Sequence, residues 1–77
     1  MTDDPDVNAR VARIIRRLRE RQQLTQGALA RAVGFTQSAY SRLESGRQSI
    51  TVAQLYAIAQ TLRVFPDLIL RMESEQR

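Results

Sequence analysis

Seventy-seven residues, 43% of them hydrophobic, suit one small domain and leave no length for a second. Cysteine and histidine are both absent, which excludes disulfides, thiolate and imidazole metal sites, and most metal-dependent or acid–base enzymes. Twelve basic residues, all arginine, stand against eight acids for a net charge of +4, and between residues 7 and 66 only Glu20 and Glu44 are acidic.

The apolar spacing is helical throughout. Asp4 before Pro5 predicts an N-cap followed by proline at the first helical position. Val7, Val11, Ile14, Ile15 and Leu18 then form one stripe ringed by arginines, so a first helix is expected over 5–22. Thr25 can cap a second helix over 25–33, with Leu29, Ala30 and Val33 inward and Gly34 ending it in the left-handed conformation. Thr36 opens a third over 36–45 in the same way, with Tyr40 and Leu43 inward and Gly46 at its end. Thr51 and Gln54 form a capping box, and Ile50 and Leu55 a hydrophobic staple, for a fourth helix over 51–62. Its stripe reads Val52, Leu55, Tyr56, Ala59 and Leu62. Pro66 starts a fifth over 66–72, and the polar tail from Glu73 to Arg77 is expected to fray.

Residues 24 to 47 therefore read as two short helices hinged at Gly34, the second showing Gln37, Ser38, Ser41 and Arg42 outward. That is the helix-turn-helix arrangement. The stretch from about Val11 to Leu70 resembles the phage-repressor and Cro-like family, often called the Xre family. The resemblance rests on Leu24-Thr25-Gln26, Leu29-Ala30, Gly34, Tyr40, and Leu43-Glu44 followed by Gly46-Arg47. It implies an all-α, compact five-helix, lambda-repressor-like DNA-binding domain over 1–77, with the motif at the second and third helices. It also implies a buried pair between Arg19 and Glu44.

Within that frame the polar residues divide by role. Gln37 and Ser38 lie in the turn of the third helix that enters the major groove in this class, and glutamine can bond N6 and N7 of adenine. The plainer alternative is an exposed polar helix start. Arg42, five residues on, is expected on roughly the same face, with guanine or a phosphate as its target, and Ser41 between them as a further base contact. Thr25, Gln26, Arg47, Gln48 and Ser49 are candidates for phosphate contact, which positions a protein on DNA without selecting sequence; capping alone would explain Thr25. The arginines of the first helix read as a solvated face from which Arg10 or Arg19 reaches the backbone.

Three departures from the family pattern stand out. Gly27 falls inside the second helix, where it costs about 1 kcal/mol against alanine. Arg63 replaces a glycine after the fourth helix, and Phe65-Pro66 replaces a small cap.

Phe65, Leu68, Ile69, Leu70 and Met72 form the expected dimer interface, since a core this small is marginal without a partner subunit. A homodimer would place two recognition helices about 34 Å apart on a near-palindromic site. The expected function is a sequence-specific regulator of transcription that binds double-stranded DNA. It is expected to be cytoplasmic, bacterial or phage-encoded, and not an enzyme, with no cofactor, metal or small-molecule ligand. No apolar run approaches the roughly 20 residues of a membrane span, and the acidic start is unlike a signal peptide. Restriction–modification controllers, antitoxins and Cro-like repressors are the settings the resemblance suggests. A protein-interaction module that kept the fold without binding DNA is the alternative of another class, and Gln37, Ser38 and Arg42 argue against it.

Overall fold

The computed structural model describes residues 4–76, so Asp3 and Arg77 lie outside the described residues. Five helices follow in order: α1 (Pro5–Arg21), α2 (Gln26–Ala32), α3 (Gln37–Glu44), α4 (Val52–Leu62) and α5 (Pro66–Glu75), with no strand among the described residues. Four begin at a side-chain cap. Asp4 accepts from the Asp6 amide, Thr25 from Ala28, Thr36 from Ala39 and Thr51 from Gln54, each at 2.9–3.1 Å. Gln54 completes the capping box by accepting from the Thr51 amide at 3.0 Å. The cap residues stand just outside the helices, which accounts for the shift of one residue against the expected bounds of the second, third and fourth.

The fifth helix differs more. It runs to Glu75 rather than stopping at 72, because Glu73 is not part of a loose tail. Its carboxylate is buried and accepts from Arg10 Nη2 at 2.9 Å and Nε at 3.1 Å, tying α5 to α1.

Helix ends share one pattern. After α2 the Phe35 amide reaches back to the Ala30 carbonyl at 2.8 Å, and after α3 the Arg47 amide reaches Arg42 at 3.1 Å. Gly34 and Gly46 supply the positive φ these closures need, +78° and +79°. Gly46 is also short of room, since a Cβ there would stand 3.2 Å from the Ala9 Cα. After α1 and α4 the same closure is made without glycine: Gln23 and Arg63 take φ of 58° and 59°.

Helix α1 runs through the middle of the fold and packs on α3, α4 and α5, while α2 packs on α3 and α4. Val11, Ile14 and Ile15 meet Leu29, Tyr40, Leu43, Leu55, Ile58 and Leu62 in a single core with almost no exposure. Each such side chain contributes about 1.5–3 kcal/mol on burial. Ile50 and the half-buried Leu24, Phe35 and Val64 close its edges from the loops.

Two expectations for the apolar faces need correction. Val52 and Tyr56 are exposed, and Ile58 takes the inward place assigned to them. In α4 apolar residues occur on most sides, so a period of 3.6 selects no phase by itself. Ile69, assigned to an interface between subunits, is fully buried within the core of this one. Among the described residues no helix is long and apolar enough to cross a membrane.

Candidate nucleic-acid interface

Leu29, Ala30, Tyr40 and Leu43 turn inward where α2 meets α3. The helical repeat then leaves Gln37, Ser38, Ser41 and Arg42 exposed on the outer side of α3. These four occupy one contiguous surface, but Gln37 and Arg42 do not share a face. Five residues turn a helix by about 500°, which leaves the two some 140° apart. Arg42 instead stacks over Ser38, four residues before it, with Nη1 donating to Oγ at 3.5 Å. The surface is therefore broader than a single stripe, with Gln37 near Ser41 and Arg42 beside Ser38.

Beneath this surface lies a buried ion pair. Arg19 Nη2 donates to Glu44 Oε1 at 2.8 Å, and Nε reaches both carboxylate oxygens at 3.0 and 3.2 Å. The remaining Nη1 donates to the Leu24 carbonyl at 2.6 Å, so one guanidinium joins α1, the start of the motif and the end of α3. Burial pushes the Glu44 carboxyl pKa up, but hydrogen bonds led by Arg19 outweigh it and hold the pKa below its ordinary value. The bond to Glu44 raises the pKa of Arg19 against the opposing effect of burial. The Tyr40 hydroxyl is buried beside the pair and meets no partner in hydrogen-bonding geometry; burial foremost, then the nearby carboxylate, raises its pKa.

This brace draws in a residue assigned elsewhere. Gln26, expected to face a phosphate, donates through Nε2 to Glu44 Oε1 at 3.2 Å and is half-buried. Of the two arginines expected to reach from α1, Arg19 is consumed by Glu44 and Arg10 by Glu73. Thr25 remains exposed as the α2 cap.

The loop after α3 brings Arg47, Gln48 and Ser49 to the surface, with Arg47 and Ser49 exposed. It is fixed from below by a residue that sequence reasoning passed over. Asn8 is buried, donates through Nδ2 to Ser49 Oγ at 3.4 Å and accepts from the Ile50 amide at 3.4 Å. Its signal was available: position 8 lies three and seven residues before Val11 and Ile15, on the inward side of α1.

The α4–α5 part of the fold shows a different surface. Phe65 is 80% exposed and Tyr56 60%, and they line a groove with Gln60, Val64, Pro66 and Asp67. On α5 Leu70 is exposed, whereas Leu68 and Met72 are half-buried. Among the described residues no group of acidic side chains is placed to hold a metal ion.

Comparison with known proteins agrees with this geometry. A family model described as Helix-turn-helix matches residues 15–69. The Uncharacterized HTH-type transcriptional regulator y4dJ of Sinorhizobium fredii (strain NBRC 101917 / NGR234) is 46% identical over 48 residues, which span 62% of this chain and 62% of that relative. Two crystal structures of the clp gene regulator ClgR from Corynebacterium glutamicum superimpose on 91% of this chain with TM-scores of 0.87 and 0.85. They cover 74% and 91% of those chains at 20% sequence identity, a likeness of fold.

Proposed function

The chain belongs to the helix-turn-helix family, one of DNA-binding regulators rather than enzymes, and from that premise we propose that it regulates transcription by binding a near-palindromic operator as a homodimer. The observation that carries this reading is the exposed polar surface of α3 set on the buried Arg19–Glu44 brace. A recognition element must present donors and acceptors to base edges while its own backbone stays fixed, and this arrangement does both.

In this reading Gln37 contacts adenine, with Ser38, Ser41 and Arg42 touching neighbouring bases. Because Arg42 and Gln37 point along different directions of α3, they serve bases on different sides of the helix axis. Arg47, Gln48, Ser49 and Thr25 contact phosphates. Gln26 joins them through the amide hydrogen that Glu44 does not take. The second copy docks on Phe65 and Leu70, with Leu68 and Met72 at the rim and Tyr56 beside them; Ile69 belongs to the core. Controller, antitoxin and Cro-like settings are all compatible with this reading, and the neighbouring gene separates them.

The test is a selection from a random-sequence duplex pool with wild-type protein, followed by titration of the enriched duplex and a shuffled one. Gln37→Ala should lose about 1–3 kcal/mol of discrimination between them, with binding to the shuffled duplex nearly unchanged. Equal losses on both duplexes would remove Gln37 from base reading.

A further inference from the structure

Glycine inside α2 is out of place as a helix former, and its neighbourhood suggests a reason for it. Gly27 is the second residue of α2, half-buried, and its φ is not among the positive values of the chain. No backbone requirement calls for glycine there. What is unusual is the neighbour. A Cβ built on Gly27 would meet the Gln37 side chain, at 3.4 Å from Oε1 and 3.8 Å from Cδ, and the Thr25 hydroxyl at 3.9 Å. The amide of Gln37 therefore lies against the first turn of α2, beside the space that a side chain at Gly27 would take.

The flanking residues sharpen the point. Gln26, the position before, turns away and donates to Glu44. Thr25 holds its hydroxyl on the Ala28 amide. At Gly27 the first turn of α2 thus meets the Gln37 amide with backbone alone, the Thr25 hydroxyl being the next side-chain neighbour. At 3.4 Å an added methyl group makes ordinary contact and the fold accommodates it. Its effect falls on the amide of Gln37, which loses the room to withdraw toward α2 and is restricted to rotamers that project away from it.

We propose that Gly27 is a specificity-determining position: its missing side chain sets the range of orientations open to the Gln37 amide, and through it the base that α3 prefers. The inference rests on the proposed base-reading role of Gln37 and adds a residue that itself touches no base. It also accounts for a glycine standing where alanine is the better helix former.

The test uses the full chain and the duplex enriched by wild-type protein, with a shuffled duplex as the non-specific reference. Gly27→Ala should raise the melting temperature, since it removes a glycine from a helix without steric conflict. It should nonetheless lower the enriched-to-shuffled affinity ratio about fivefold or more, and a repeated selection should shift the preferred base at one position of each half-site. In a Gln37→Ala background the same change should leave the ratio alone, because the effect travels through the Gln37 amide. Failure has two recognisable forms. If Gln37→Ala lowers the ratio and Gly27→Ala does not, or if Gly27→Ala lowers it equally in both backgrounds, the role of Gly27 is wrong while base reading by Gln37 stands. If wild-type protein enriches no sequence, or Gln37→Ala leaves the ratio unchanged, base reading falls and takes this inference with it.

Discussion

The α2–α3 surface and the α4–α5 surface are each tied to α1 by an arginine–glutamate pair, yet they show opposite chemistry to solvent. Arg19 holds Glu44 under a surface of glutamine, serine and arginine. Arg10 holds Glu73 on α5, the helix that carries the exposed Leu70 and begins at the exposed cap residue Phe65. The tie and the display are thus separate choices: one kind of buried contact fixes a helix, and the outward residues of that helix decide the partner. The ties differ in depth as well. Only 10% of the Arg19 side chain and 1% of Glu44 are exposed, against 21% of Arg10, and Arg19 also closes on the Leu24 carbonyl. The surface built for polar contact rests on the stiffer foundation.

The largest expected effect tests that difference in depth. Glu44→Ala should cost about 3–5 kcal/mol, because it strands the Arg19 charge away from water. Urea denaturation measures it, and a loss under 1 kcal/mol would show that Arg19 rehydrates easily and the foundation is no stiffer than the other. The pair also predicts a pH dependence. The folded-state pKa of Glu44 lies below its ordinary 4.5, so as pH falls the unfolded chain takes up the proton first. The stability it supplies is complete above about pH 4.5 and is lost as pH falls through the folded value. Glu44→Gln should flatten that acid limb, whatever it does to stability at neutral pH.

A middle-sized effect belongs to the apolar surface. Phe65→Ala should leave the melting of the monomer nearly unchanged, since the residue is already 80% exposed. Burial of a phenylalanine against a second copy is worth about 1.5–3 kcal/mol, so self-association should weaken by at least tenfold. Sedimentation across a concentration series reads it. A wild-type chain that stays monomeric, with and without DNA, would leave this surface without its partner and end the homodimer.

How far these features could be read from sequence depends on how local their causes are. The caps at Thr25, Thr36 and Thr51 act over three residues, and the capping box and glycine ends are equally short-range, so the five helices were legible. The polar surface of α3 followed from the same periodicity. Glu73 was misplaced because its partner Arg10 lies 63 residues away, and nothing near residue 73 marks it as buried. The phase of α4 failed for another reason: Tyr56 and Ile58 are both plausible inward residues, and only packing against α1, α2 and α5 chooses between them. Gln26 could be placed on α2 but not aimed, since its contact with Glu44 depends on how α2 and α3 cross.

The smallest effect concerns the turns that set the two surfaces. Inside the motif Gly34 joins α2 to α3 and Gly46 ends α3, both holding positive φ without strain, whereas the turn from α4 into α5, like that at Gln23 before the motif, relies on a residue with a side chain: Arg63 at φ 59° and ψ 40°. A residue with a Cβ pays about 1–2 kcal/mol there, and glycine in exchange loses about 0.5–1 kcal/mol more chain entropy on folding. The difference favours glycine slightly, so Arg63→Gly should stabilise the fold by roughly 0.5–1 kcal/mol, a rise of several degrees in Tm for a domain of this size. The Arg63 side chain is exposed and its amide closes on the Gln60 carbonyl at 3.1 Å, a bond that glycine keeps. A fall in Tm would mean that the arginine stem covers the apolar groove beside Val64 and contributes more than the strain removes. The α4–α5 surface would then be held by a side chain at its turn as well as by the pair beneath it.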